Sequence, residues 1–179
     1  GYQRYKITES GISPRAIPGV AGHAYVAPTD EHDEDGILIS DEFTNPHKRR
    51  EMVEKRARKF DNVEALIEPP AVEGPADADV TLVGWGSTYG PVNQAVRHLV
   101  DEGHEISHIH LRHLAPMPRN LGALLAEFDE VLVPEMNTGQ LRTILRSEFL
   151  IDAGGLNIVT GQPFKISEIE GAIHACLES

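Results

Sequence analysis

Regular alternation of apolar runs and amphipathic segments fills the chain from residue 79 onward. Four runs have the length and composition of buried strands: DVTLVG at 79–84, EISHIHL at 105–111, EVLVPE at 130–135 and LNIVT at 156–160. Apolar residues at helical spacing follow each run. Four strands that are each followed by a helix predict an α/β fold, with a doubly wound, mostly parallel sheet and helices on both faces.

Residues that favour caps and turns mark the ends of the predicted helices. The first helix is expected to start at Pro91 and to end at Gly103, since glycine favours the position just after a helix. Asn120 is a suitable N-cap for the second helix. Ser167 and Glu170 have the spacing of a capping box and predict the start of the last helix.

The first part of the chain lacks this regular pattern. Proline, glycine and acidic residues dominate up to residue 43, one helix is predicted next, and the segment IEPPAVEGPADAD is typical of a linker. These differences predict three parts: an extended arm over residues 1–45, a helix and linker over residues 46–78, and the α/β domain over residues 79–179.

The helix predicted after the arm has clear start signals and one apolar stripe. Asn45 is a suitable N-cap, and Pro46 suits the first helical position. Val53, Ala57 and Phe60 follow the spacing i, i+4, i+7 and therefore share one side of the helix.

The same helix is strongly basic, whereas the arm before it is acidic. Seven of the 16 Lys and Arg residues lie between residues 48 and 59, and seven acids lie between residues 30 and 42. The basic residues form either a solvated face with helical pairs such as Glu51 and Lys55, or a surface that contacts acidic residues such as those of the arm.

Composition and charge exclude several classes of function. The net charge of −12 argues against nucleic-acid binding, which needs clustered Lys and Arg residues to neutralise phosphates. The single cysteine, Cys176, permits no internal disulfide and no iron–sulfur cluster held by this chain alone, because a cluster takes about four thiolates. No apolar run approaches the ~18 residues of a transmembrane helix, and no signal-peptide pattern is visible, so we expect a cytoplasmic protein that binds no membrane.

Polar side chains are concentrated in the loops after the predicted strands. In a parallel sheet these loops share one edge, where ligands tend to bind. Ser87 and Thr88 follow the first strand and Asn137 follows the third, so these three residues are candidates for contact with a ligand at this edge. Their alternative role is to cap the helices that follow.

Other kinds of site have weak support in the sequence. The glycines around Trp85 have the spacing G-x-G-x-x-x-G, one residue longer than the dinucleotide-binding fingerprint, and Trp85 is bulky where a pyrophosphate would approach. His108 and His110 share one face of a strand, as zinc ligands would, but no cysteine is near them in sequence, and we expect no metal site. The chain has no nucleophile elbow and no P-loop, so no catalytic residue is predicted.

Six motifs occur in an order that indicates one enzyme family. They are YKITESGISPRAIPG, EHDEDG, KRREMVEKRARKFD, GWGSTYG, LRHLAPMP and VLVPEMNTGQL. Together they resemble the C-terminal part of the α subunit of 2-oxoacid:ferredoxin oxidoreductases, especially those of the 2-oxoglutarate type. The resemblance implies that the α/β domain is similar to the C-terminal domain of transketolase.

The resemblance also implies an activity for the complete enzyme. Enzymes of this family decarboxylate a 2-oxoacid oxidatively to an acyl-CoA and CO2, and they reduce ferredoxin. They use thiamine diphosphate with Mg, and an iron–sulfur cluster in the β subunit. By this resemblance the partners of the chain are the β subunit, ferredoxin through the complex, and an N-terminal pyrimidine-binding domain of the α subunit that this sequence lacks.

On this basis we expect the chain alone to be inactive, to bind no cofactor, and to serve assembly and subunit contacts. Residues 6–19 would be the connector that leaves the missing domain, near the subunit interface. Arg15, with the hydroxyl groups of Thr8 and Ser13 near it in sequence, is a candidate for binding a substrate carboxylate or a CoA phosphate. Alternatively, Arg15 fixes a turn by donating hydrogen bonds to backbone carbonyls.

Two other interpretations are compatible with the same α/β pattern. One is a flavodoxin-like module that binds FMN or another nucleotide at the loop edge of the sheet. The other is the C-terminal domain of a different thiamine-diphosphate enzyme, such as a transketolase or a 2-oxoacid dehydrogenase. The ordered motifs in residues 5–59 favour the 2-oxoacid:ferredoxin oxidoreductase.

Overall fold

The chain folds into two units, which the computed structural model describes over residues 1–39 and 45–178. The first unit is Gly1–Leu66 and the second is Ile67–Ser179. The connector role of residues 1–45 stays a prediction, and two of the seven acids counted in the arm, Asp41 and Glu42, lie outside the described residues. No helix in the described part of the chain is long and apolar enough to span a membrane.

A five-stranded sheet forms the centre of the second unit. Its strands are β1 (Val72–Glu73), β2 (Val80–Trp85), β3 (Ile106–Leu111), β4 (Glu130–Glu135) and β5 (Gly154–Asn157). They lie in the order β1-β3-β2-β4-β5, and every neighbouring pair is parallel except β1 and β3. The predicted α/β fold with a doubly wound, mostly parallel sheet is therefore confirmed.

Two details of the sheet differ from the sequence prediction. The segment predicted as a linker contains β1, whose two residues pair with β3 through Val72 with Ile109 and Glu73 with His108. The last strand is β5 at Gly154–Asn157, not at 156–160. Glycines are weak strand formers, so the two that begin β5 hid its start in the sequence pattern.

Four helices cover the two faces of the sheet. They are α2 (Tyr89–Asp101), α3 (Leu121–Leu125), α4 (Gln140–Phe149) and α5 (Ile166–Leu177). Apolar residues of α3 and α4 pack on one face, in a cluster with Val83 and Val133. Those of α2 and α5 pack on the other face, in a cluster with Leu82 and Leu132. This alternation along β2 and β4 buries both faces of the sheet.

The observed helix starts differ from the sequence predictions at three helices. For α2 and α5 the predicted start is wrong, and for α3 only the predicted capping hydrogen bond is. The helix predicted from Pro91 begins earlier, at Tyr89, after a 3₁₀ turn at Gly86–Thr88. The capping box is not formed by Ser167 and Glu170. Instead α5 begins at Ile166, and the backbone N–H of Lys165 donates to Glu168 Oε2 at 2.9 Å. Asn120 precedes α3 as predicted, but its side chain makes no capping hydrogen bond.

The first unit contains one long helix, α1 (Pro46–Glu64), and its start was predicted correctly. Asn45 Oδ1 accepts a hydrogen bond from the backbone N–H of Lys48 at 3.3 Å. The predicted apolar stripe, however, is not the buried side of the helix. Val53 and Phe60 are 49 % and 50 % exposed, whereas Met52 is buried.

Both interpretations of the basic charge hold in part: Lys48 and Arg56 pair with acids of the arm, and Lys48 also forms a helical pair with Glu51 at 3.8 Å. Lys48 Nζ lies 3.5 Å from Glu34 Oε1, and Arg56 Nη2 lies 2.9 Å from both carboxylate oxygens of Glu31. The helical pair of Glu51 with Lys55 was wrong. Lys55 is buried, and its ammonium donates to the backbone carbonyl of Tyr5 at 2.7 Å.

Candidate functional site

Arg15, in the arm of the first unit, is the first candidate for contact with a ligand. The residue is exposed, and its side chain makes no hydrogen bond or ion pair with residues 1–39 or 45–178. The described residues therefore lack the hydrogen bonds from Arg15 to backbone carbonyls by which it would fix a turn. A planar guanidinium with free N–H groups is suited to a carboxylate or a phosphate.

The two hydroxyl groups predicted beside Arg15 are engaged within the arm. Thr8 Oγ1 donates to the backbone carbonyl of Ile12 at 3.0 Å, and Ser13 Oγ donates to that of Lys6 at 3.0 Å. Each hydroxyl keeps lone pairs but has spent its one donor proton. Thr8 and Ser13 therefore shape the loop, and Arg15 supplies the free donors.

A second candidate region lies at the edge of the sheet in the other unit. Because β2 stands between β3 and β4, the loops after β2 and β4 diverge at the point where the strand order reverses, a preferred place for ligands in such sheets. A pocket of about 170 Å³ opens there, lined by Trp85, Gly86, Ser87, Thr88, Met136 and Asn137. The structure thus brings together the three loop-edge candidates predicted from the sequence.

The hydrogen bonds of these three residues show which side chain remains available to contact a ligand. Thr88 Oγ1 accepts from the backbone N–H of Trp85 at 3.1 Å and donates to its carbonyl at 2.9 Å. Asn137 Oδ1 accepts from the backbone N–H groups of Gly139 at 2.8 Å and Gln140 at 3.0 Å. Ser87 is exposed and makes no hydrogen bond within the described residues. Ser87 is therefore the candidate whose side chain is available to a ligand.

Glu135, at the end of β4, is a site residue that the sequence prediction missed. Its carboxylate is 0 % exposed. Oε2 accepts from the backbone N–H of Leu141 at 2.9 Å and from Asn137 Nδ2 at 3.0 Å, and Oε1 accepts from the N–H of Arg142 at 3.0 Å. The negative charge fills the positive N-terminus of α4, so this helix end cannot receive an anionic ligand. The signal in the sequence was a strand ending in Glu just before the turn sequence MNTG.

His108 is buried on the opposite face of the sheet, beside His110 and Tyr89. It is 0 % exposed, and neither ring nitrogen has a hydrogen-bond partner in the described residues. Burial, with a smaller contribution from His110, lowers the pKa of His108 to about 4. The ring centroid of Tyr89 lies 5.6 Å from that of His108. In residues 1–39 and 45–178, no group of three or more His, Cys, Asp or Glu residues is placed to hold a metal ion.

Comparison with known protein families shows to which family the chain belongs. Residues 78–171 match the family described as pyruvate:ferredoxin oxidoreductase core domain II. The chain belongs to this family. The membership agrees with the resemblance found in the motifs and favours the oxidoreductase over an FMN- or nucleotide-binding module.

Similar proteins extend the relationship beyond this domain. The chain is 36 % identical to 2-oxoacid:ferredoxin oxidoreductase 2 subunit alpha of Aeropyrum pernix, over 99 % of this chain and 28 % of the relative. It is 39 % identical to 2-oxoglutarate oxidoreductase subunit KorA of Mycobacterium tuberculosis, over 70 % of this chain and 19 % of the relative. The recognition of a 2-oxoacid:ferredoxin oxidoreductase α subunit from the motifs is confirmed.

A solved structure has the same fold as both units. The 2-oxoglutarate:ferredoxin oxidoreductase of Magnetococcus marinus, with 2-oxoglutarate, coenzyme A and succinyl-CoA bound, is 34 % identical and matches with a TM-score of 0.82. The match covers 98 % of this chain and 31 % of that one. The chain therefore spans less than a third of the length of these relatives.

Proposed function

We propose that the chain is the C-terminal part of the α subunit of a 2-oxoacid:ferredoxin oxidoreductase that acts on 2-oxoglutarate. The complete enzyme would convert the 2-oxoacid and CoA to an acyl-CoA and CO2, and pass the electrons to ferredoxin. The observation that carries the proposal is the match, over 98 % of the chain, to a 2-oxoglutarate:ferredoxin oxidoreductase at 34 % identity.

The chain itself would serve assembly and ligand contact, with the redox groups held by the rest of the enzyme. Its one cysteine, Cys176, is partly buried and packs against the apolar core between the sheet and helices α2 and α5. This burial raises the pKa of its thiol. A single buried thiol does not suit an iron–sulfur cluster, which takes about four thiolates. The partners in this proposal are the β subunit with its cluster and thiamine diphosphate, the remaining α-subunit sequence, and ferredoxin.

The activity can be tested on the assembled enzyme that contains this chain. Purified enzyme should reduce ferredoxin only when CoA and a 2-oxoacid are both present, and 2-oxoglutarate should give a higher kcat/KM than pyruvate. A higher kcat/KM with pyruvate would contradict the substrate, and no ferredoxin reduction with any 2-oxoacid would contradict the function.

The chain by itself should not bind thiamine diphosphate. Its sequence contains no G-D-G motif, and its single cysteine cannot complete a redox centre. We expect calorimetric titration of the isolated chain with thiamine diphosphate and Mg²⁺ to show no saturable heat, while the assembled enzyme binds. Micromolar binding by the isolated chain would show that a cofactor site was overlooked.

In the assembled enzyme, Arg15→Ala should weaken ligand binding more than folding. Loss of a charge-assisted hydrogen bond typically costs roughly 1.5–3 kcal/mol, so the KM for the 2-oxoacid or for CoA should rise by about one to two decades. The flanking residues Pro14 and Pro18 hold the backbone in place, which reduces the entropy lost when a ligand fixes the side chain. Steady-state kinetics for both substrates measure the effect.

Arg49→Ala is the matched control for this experiment. Arg49 lies on α1, is exposed, and makes no hydrogen bond or ion pair within the described residues, so its loss removes the same charge at another place. Its KM values should equal those of the wild type. If Arg15→Ala lowers the unfolding temperature by several degrees and leaves both KM values unchanged, Arg15 has no ligand role.

A further inference from the structure

Two side chains hold the backbone on either side of Arg15. The Tyr2 hydroxyl donates a hydrogen bond to the backbone carbonyl of Pro14 at 3.0 Å. On the other side, the backbone N–H of Ile17 donates to Nδ1 of His23 at 3.3 Å. Pro14 directly precedes Arg15 and Ile17 follows it by two residues, so the four-residue segment 14–17 is fixed at both ends.

The two contacts belong to one assembly of rings. The rings of Tyr2 and His23 are stacked, with centroids 4.8 Å apart and planes inclined by 22°. Tyr25 meets the edge of this pair, with its centroid 6.2 Å from that of Tyr2. Two turns also connect Ile17 to His23, because the backbone N–H of Val20 donates to the carbonyl of Ile17 and the N–H of His23 donates to the carbonyl of Val20. A shift of either ring would therefore move both ends of the Arg15 segment.

This arrangement leaves the Arg15 side chain free while its backbone is held. The guanidinium has no partner among the described residues, whereas the Pro14 carbonyl before it and the Ile17 amide two residues after it are both hydrogen-bonded. Holding a ligand-binding group in place before the ligand arrives improves affinity, because less conformational freedom is lost on binding.

We propose that Tyr2 and His23 are positioning residues that orient Arg15 toward the carboxylate or phosphate of its ligand. The proposal rests on the ligand role proposed for Arg15 and adds the residues that set the geometry of that contact. Tyr2 acts through its hydroxyl on Pro14, and His23 acts through Nδ1, which must be the unprotonated ring nitrogen in order to accept from Ile17.

Tyr2→Phe tests the first contact, because it removes the hydroxyl and keeps the ring. In the assembled enzyme, the KM of the substrate that Arg15→Ala affects should rise about two- to tenfold with kcat unchanged, since a neutral hydrogen bond contributes roughly 0.5–1.5 kcal/mol. Tyr25→Phe is the control. It deletes the same atom from the same ring assembly, but the Tyr25 hydroxyl has no hydrogen-bond partner in the described residues. Its KM should not change.

A pair of variants at His23 tests the second contact. His23→Phe keeps a ring for stacking on Tyr2 but has no acceptor for the Ile17 N–H, and should raise the same KM. His23→Asn places an amide oxygen near the position of Nδ1, and should recover part of the affinity. Equal KM values in both variants and the wild type would overturn the role of His23.

The double variant Tyr2→Phe with Arg15→Ala separates this proposal from the one on which it rests. If Tyr2 acts through Arg15, Tyr2→Phe should raise the KM in the wild type but cause no further rise in the Arg15→Ala background. An equal rise in both backgrounds overturns the positioning role while the ligand role of Arg15 stands. If Arg15→Ala raises the KM and Tyr2→Phe does not, the positioning role is likewise overturned while the ligand role of Arg15 stands. Unchanged KM values in Arg15→Ala would overturn both proposals.

Discussion

Glu135→Leu should destabilise the second unit by about 3 kcal/mol or more, because each buried donor left without a partner costs roughly 1–3 kcal/mol. The substitution removes the acceptor for three donors, namely the backbone N–H groups of Leu141 and Arg142 and the amide of Asn137. It also removes the negative charge at the N-terminus of α4. Urea unfolding followed by the fluorescence of Trp85, the single tryptophan, measures the loss in the unit that contains Glu135.

Glu130→Gln is the control for this substitution. Glu130 begins the same strand but is exposed, and substitutions at exposed positions usually change stability by less than about 0.5 kcal/mol. Glu135→Gln should fall between the two variants, because the amide keeps one acceptor oxygen and turns its NH2 group toward donors. An unfolding midpoint for Glu135→Leu equal to that of the wild type would show that water or another group satisfies the N-terminus of α4.

The core of the sheet was predictable because its strands are buried on both faces. Such strands are usually nearly continuous apolar runs, as in β2 and in the middle of β4, whereas β3 is equally buried but contains Ser107, His108 and His110. Edge strand β1 was not predictable. Its two residues lie among prolines and glycines, and their strand geometry depends on pairing with β3, which is more than 30 residues away in sequence. Local pattern carries no information about such a partner.

The buried side of α1 was missed for a different reason. A hydrophobic pattern assigns Lys55 to the surface, but in the structure its stem is buried and its ammonium is satisfied by the carbonyl of Tyr5. Long basic side chains can cover apolar surface in this way while their charged ends find partners. The apolar residues Val53 and Phe60 then remain on the exposed side.

The two candidate sites, one in each unit, also combine features that the sequence predicts with features that it does not. The gathering of Ser87, Thr88 and Asn137 follows from strand order alone, because loops after parallel strands meet at one edge. The role of Glu135 does not, since a glutamate at a strand end is usually exposed and only the fold of the next turn brings three donors to it. The ring assembly that contacts the backbone on both sides of Arg15 likewise depends on residues far apart in sequence, namely Tyr2 with Pro14 and Tyr2 with His23.

Acidification should destabilise the second unit through His108. The pKa of this buried imidazole is about 4 in the folded chain, below the usual value of 6.5. Between these two values the unfolded chain binds a proton more readily than the folded chain does, so stability must fall as the pH falls. The stability that depends on neutral His108 is complete above about pH 6.5 and is lost progressively toward pH 4. The shift corresponds to about 3 kcal/mol, because one pKa unit is about 1.36 kcal/mol.

His108→Phe should remove most of this dependence, because the ring is kept and the titratable group is lost. Urea unfolding at several values between pH 7 and pH 4, followed by Trp85 fluorescence, should show the wild type losing about 3 kcal/mol more than this variant over that range. His113→Phe is the control, because His113 is exposed, and its pH profile should follow the wild type. The charged and titratable groups that act on the neighbouring His110 are Glu73 and Arg112, and they are unchanged in both variants. Parallel profiles for the wild type and His108→Phe would show that the folded chain accommodates a charged His108.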